Sequence, residues 1–133
     1  MMQFKLPKNN ERYQWTLHSI EKMKFYGLSE QKILGIIKRP QRKEEGIVKN
    51  TIAVMQPVSP KLDAGGKPVW KTEIWAMYQI KKNKNRKNLS ELQKLLFRDQ
   101  KKIISAWRYP GVSPEHNPIP EDILREISES GLK

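Results

Sequence analysis

The stretch Lys101–Gly111, KKIISAWRYPG, constrains this chain more than any other. Two lysines lead into the β-branched pair Ile103 and Ile104, and the run ends on Trp107, Arg108 and Tyr109 before Pro110-Gly111. A short run rich in isoleucine and aromatic residues, closed by a Pro-Gly turn, predicts a β-strand. Strict alternation would put Ile103, Ser105 and Trp107 on one face and Ile104, Ala106 and Arg108 on the other. Both faces begin apolar, so the strand is expected inside a sheet, covered on both sides, with its polar-tipped end emerging at a surface.

The rest of the chain supplies the partners for such a strand. Its 133 residues suit a single domain spanning 1–133. Ile47–Gln56 and Val69–Ile80 read as two further strands. The loop 57–68 between them carries three prolines and a Gly-Gly pair. Ahead of them, Leu17, Ile20 and Met23, with the stem of Lys24, recur at helical spacing, and Ile33, Leu34, Ile36 and Ile37 form a broad apolar face. Thr16 and Ser29 suit N-caps, Gly27 suits a left-handed helix end, and Pro40 stops the second helix. The expected hairpin is Leu17–Tyr26 and Glu30–Lys38. Residues 1–12 read as an N-terminal arm or short edge strand, and QRKEEG (41–46) as a charged turn. Ser90 and Gln93 have capping-box spacing, so Ser90–Arg98 predicts a short helix docked by Leu92, Leu95 and Leu96. Residues 110–120 form a proline-rich connection, followed by an acidic C-terminal helix over Glu121–Ser130. The fold class that follows is α+β: two N-terminal helices packed on a small antiparallel β-meander, with a C-terminal helix.

Charge narrows the partners. Twenty-six Lys and Arg face 14 Asp and Glu, a net charge of +12. Such a balance attracts polyanions, chiefly nucleic acid or an anionic membrane surface; the alternatives are solubility charge or an acidic protein partner. The basic insert 81–102 concentrates it, with nine bases against two acids, a local +7. No cysteine is present, which excludes disulfides and cysteine-based zinc sites. The N-terminal residues lack the apolar centre of a signal peptide, and no run reaches the roughly 20 apolar residues of a bilayer span. A cytoplasmic protein without membrane contact is expected.

The segment HSIEKMKFYGLSEQKI, His18 to Ile33, resembles the first half of a bacterial family of small proteins related to the BrnT toxins. His18, Met23, Gly27, Leu28 and Ser29 carry the likeness, and KIISAWR resembles that family's Ile-Ile-Ser-Ala-Arg strand. Trp107 stands where the motif has arginine, and Arg108 follows. The resemblance covers roughly Trp15–Tyr109. It implies a RelE-like toxin fold, a metal-independent endoribonuclease acting on messenger RNA, and control by an acidic antitoxin protein.

Metal-free RNA cleavage needs a base, an acid and a cation to hold the phosphate. His18, at a helix start, is the candidate acid or base; alternatively it only bonds within the hairpin. His116 is the weaker histidine. Arg108 is either a bidentate phosphate clamp or a salt-bridge partner of the acidic C-terminal helix. Tyr109 is either a base platform and weak acid or an aromatic at the core edge. For nucleic-acid contact the candidates are Arg39, Arg42, Lys81, Lys82, Lys84, Arg86, Lys87, Lys101 and Lys102. Arg39 and Arg42 could equally be turn charges paired with Glu44 and Glu45. Trp70, Trp75 and Trp107 read as core. No metal site, cofactor motif, glycine-rich phosphate loop or Ser-His-Asp arrangement is legible. Two functions follow: a toxin-like RNA-cleaving enzyme, or a non-catalytic basic module that binds RNA, ribosome or DNA.

Overall fold

The computed structural model describes residues 4–82, 90–96 and 99–129. In chain order the elements are β1 (Tyr13–Trp15), α1 (Leu17–Tyr26), α2 (Glu30–Lys38), β2 (Arg42–Glu45), β3 (Ile52–Pro57), β4 (Lys61–Leu62), β5 (Pro68–Val69), β6 (Thr72–Lys81), α3 (Glu91–Leu96), β7 (Gln100–Pro110) and α4 (Glu121–Glu129). A five-stranded sheet has the order β1-β7-β6-β3-β2; β4 and β5 form a separate two-stranded hairpin. All pairings in the large sheet are antiparallel except β1 with β7, which is parallel. The protein is thus a mixed α/β fold with a mostly antiparallel sheet. It does not simply place helices first and a meander after them, because the chain enters the sheet at β1 before either helix.

The helical hairpin lies where its sequence puts it. Thr16 Oγ1 accepts from Ser19 N at 3.1 Å, and Ser29 Oγ accepts from Lys32 N at 3.1 Å. Gly27 ends α1 with φ +67, and Leu28 N donates to Met23 O at 2.7 Å while its side chain goes into the core. The apolar stripe of α1 is narrower than expected: Ile20 and Met23 face inward, whereas Leu17 is 73% exposed.

Both faces of the sheet are covered. One core joins Trp15, Met23, Leu28, Ile33, Ile36 and Ile37 to Val54, Ile74, Ala76, Tyr78, Ile103 and Ala106. The other packs Ile119, Ile123 and Ile127 of the C-terminal segment against Ala53, Met55, Trp75, Met77, Ile104 and Trp107. Strands β6 and β7 are therefore central and apolar on both sides.

The faces of β7 differ from strict alternation. Met77 pairs with Ser105 but Tyr78 pairs with Ile103, so Ile104 is an extra residue. This bulge moves Ile103 onto the face of Ala106, and Ile104 onto the face of Trp107. Thr16 takes up the carbonyls beside it: Oγ1 reaches Ile103 O at 2.8 Å and Ile104 O at 3.2 Å. One side chain thus caps α1 and ties it to the irregularity. β1 covers β7 only from Lys101 to Ile103. Beyond that α1 runs beside β7 and reaches Arg108, whose Nε donates to Tyr26 O. Ten helical residues span about 15 Å, close to the roughly 17 Å of strand from Ile103 to Arg108.

Other expectations are corrected locally. QRKEEG is not a free turn: Arg42–Glu45 forms the edge strand β2. The following strand starts at Ile52 rather than Ile47, because Gly46 N closes on Thr51 O and Asn50 adopts φ 62. Ile47 and Val48 instead pack at the margin of the second core. The long strand starts at Thr72, which leaves Trp70 outside it. The loop 57–68 gains order from Asp63, whose carboxylate accepts from Gly65 N and Lys67 N. In α3 the capping box forms between Ser90 and Gln93, yet Leu92 is 69% exposed and does not dock. No helix among the described residues is long and apolar enough to cross a membrane.

Candidate nucleic-acid interface

The structure separates the candidate catalytic residues. His18, near the start of α1, shares a hydrogen bond between Nε2 and Ser105 Oγ at 3.1 Å, and Glu126 Oε2 of α4 lies 3.7 Å away. Lys22 Nζ pairs with that carboxylate at 2.8 Å. Burial pushes the imidazole below its ordinary pKa; Glu126 opposes the shift and Lys22 adds to it. Arg108 is engaged at the opposite end of α1, where its guanidinium meets the carbonyl of Tyr26, the last residue of that helix. Eight helical residues separate the two anchor points, about 12 Å of rise. Register also sets them apart: Arg108 lies opposite Ile74 of the first core, Ser105 opposite Met77 of the second. His18 and Arg108 thus engage different partners near the two ends of α1. Tyr109, opposite Glu73, is half-buried at the margin of the second core. Trp107, at the position where the toxin motif has arginine, is fully buried and stacked 6.0 Å from Trp75, with Nε1 donating to Pro118 O.

Arg42 is also committed internally. It donates to Ser113 O and Oγ and to Pro114 O, lies 5.1 Å from the Trp75 ring, and stands 3.7 Å from Glu73. Glu73 is fully buried and satisfied by Trp70 Nε1, Trp75 Nε1, Ser113 N and Ser113 Oγ. Glu44 completes the group by accepting from His116 N at 2.6 Å. A buried carboxylate requires such a set of donors. Together they pin the proline-rich connection across one end of the sheet. Arg39 caps α2, exposed at the same end, and its carbonyl accepts from Gln56 Nε2.

The lysines gather at the other end. Where β6 finishes and β7 begins, Gln79 pairs with Lys102, Ile80 with Lys101, and Lys81 with Gln100. Lys81 and Lys82 are exposed, Lys101 and Lys102 half-buried. Lys101 Nζ lies 5.9 Å from the Tyr78 ring. Burial and the Glu45 carboxylate push the Tyr78 phenol above its ordinary pKa, which keeps it neutral beside the lysine. Of these, Gln79, Ile80, Lys81 and Lys102 line an open cleft of about 900 Å³ across the strand ends, together with Gln14, Glu45, Asn50, Thr51 and Ile52. Lys84, Arg86 and Lys87 lie outside the described residues.

Sequence reasoning singles out the lysines here but not the amides between them. The available signal is Gln79, a polar residue that follows the run Ile74–Tyr78 of β6. No family model, curated protein or solved structure matches this chain.

Proposed function

We propose that this protein is a non-catalytic basic module that binds nucleic acid by its phosphate backbone at the β6–β7 end of the sheet. The observation that carries the reading is the register that brings Lys81 and Lys102 into the lining of one open cleft, with Lys82 and Lys101 next to them along the chain. Two ammonium groups in the cleft and two beside it, on a domain of net charge +12, form an electrostatic footprint for a polyanion. Ribonuclease chemistry, which the BrnT resemblance implies, gains no support from this geometry, because the candidate acid-base group and phosphate clamp sit apart. In this reading a RelE-like likeness concerns the scaffold, with RNA or ribosome as partner in a cytoplasmic setting.

The test is fluorescence anisotropy with labelled RNA across a salt series. Affinity should fall linearly with the logarithm of salt concentration. Replacing Lys81 and Lys102 by serine should reduce the slope by roughly one unit for each phosphate that the variant leaves unneutralised. Absence of binding at low salt, or an unchanged slope in the variant, would overturn the proposal.

A further inference from the structure

The same cleft holds polar groups that backbone attraction does not need. Gln14, Lys102 and Gln79 stand side by side on β1, β7 and β6, since Gln14 pairs with Lys102 and Lys102 with Gln79. At about 4.8 Å per strand, the two glutamines are roughly 10 Å apart with an ammonium stem between them. They continue the face of Met77 beyond the second core and line the open cleft.

Their state differs from that of the other half-buried amides, Gln56 and Gln100, which donate to backbone carbonyls. Asn9, Asn10 and Gln93 likewise spend the side chain on a backbone group. Gln14 and Gln79 are half-buried in the sheet, yet neither side chain has a hydrogen-bond partner among the described residues. A half-buried amide with open donor and acceptor capacity retains affinity for a planar group that presents both. The edge of a nucleobase is such a group, and it can enter a cleft only when it is unpaired.

Resting on the reading above, we infer that the cleft takes single-stranded nucleic acid, with Gln14 and Gln79 holding the edge of an unpaired base and Lys102 the adjoining phosphate. Recognition by charge alone follows charge density and gives a single strand no advantage over a duplex or heparin. Amide recognition separates them.

The experiment measures affinities of the full chain for labelled single-stranded homopolymer RNAs, the same sequences as DNA, an RNA duplex and heparin. The expected result is a preference of about tenfold for at least one homopolymer over duplex and heparin. A stronger RNA arm assigns RNA as the source of the base, and a stronger DNA arm assigns DNA. The Gln14→Met, Gln79→Met variant keeps side-chain length and should lose that preference with its salt slope unchanged. Gln14→Met alone, on the edge strand, gives a milder second variant if the double one fails to fold. Equal wild-type affinity for all the polyanions would overturn the inference, as would unaltered preference in the variants, while leaving backbone binding in place. Failure to bind any of them would overturn the parent reading instead.

Discussion

Thr16 and His18 show how single residues at the start of α1 bind three layers together. Thr16 is legible as a cap; its second role toward the bulge carbonyls is not, because nothing local announces an extra residue in a strand 87 positions away. His18 is legible as a special residue, but its surroundings come from β7 and α4. Its depressed pKa has a consequence for stability. Between the folded value and the ordinary 6.5, the unfolded chain binds more protons than the folded one. Stability should therefore rise with pH through that window. The cost of burying the imidazole is fully present below the folded value and gone above 6.5. Urea midpoints measured over a pH series should show this rise, and His18→Gln should flatten it. A variant whose profile runs parallel to wild type would assign the titration to another group.

At the level of elements, the helical hairpin is readable to its ends and the sheet edges are not. Helix limits are written in local chemistry: caps at Thr16 and Ser29, a left-handed glycine at 27, a proline at 40. By contrast, β1 and β2 are only three and four residues long, and β2 is charged throughout. They are strands only because β7 and β3 offer them hydrogen bonds. Two glycines allow a paired test of the local reading. An added Cβ meets nothing within 4 Å at either Gly27 or Gly35, so only backbone conformation decides the sign. Gly27 sits at φ +67, and Gly27→Ala should destabilise by about 1–2 kcal/mol. Gly35 is inside α2, and Gly35→Ala should stabilise by about 0.5–1 kcal/mol. Urea midpoints that moved in the same direction would reject this assignment.

On the scale of the whole molecule, the two cores lie back to back on the same pair of strands. Ile74, Ala76 and Tyr78 face one, Trp75 and Met77 the other. Neither layer can lose its packing without exposing β6 and β7, so the described fold should melt as one unit. The tryptophans make this measurable. Trp15 reports on the helical-hairpin core, while Trp75 and Trp107 report on the core beneath α4. Ile33 and Ile123, both fully buried, mark opposite sides of the sheet. Truncating either to alanine should cost about 2–5 kcal/mol. Each substitution should shift the fluorescence and far-ultraviolet dichroism transitions together, because coincident transitions are the signature of a single cooperative unit. The two costs should also be roughly additive, since the residues belong to separate clusters. If Ile123→Ala moved the fluorescence transition ahead of the dichroism transition, α4 and the proline-rich connection would be a separable layer. The links from His18 and Lys22 to Glu126, and from Arg42 and Glu73 to Ser113, argue for the single transition, because peeling off that layer would strand their charges without partners.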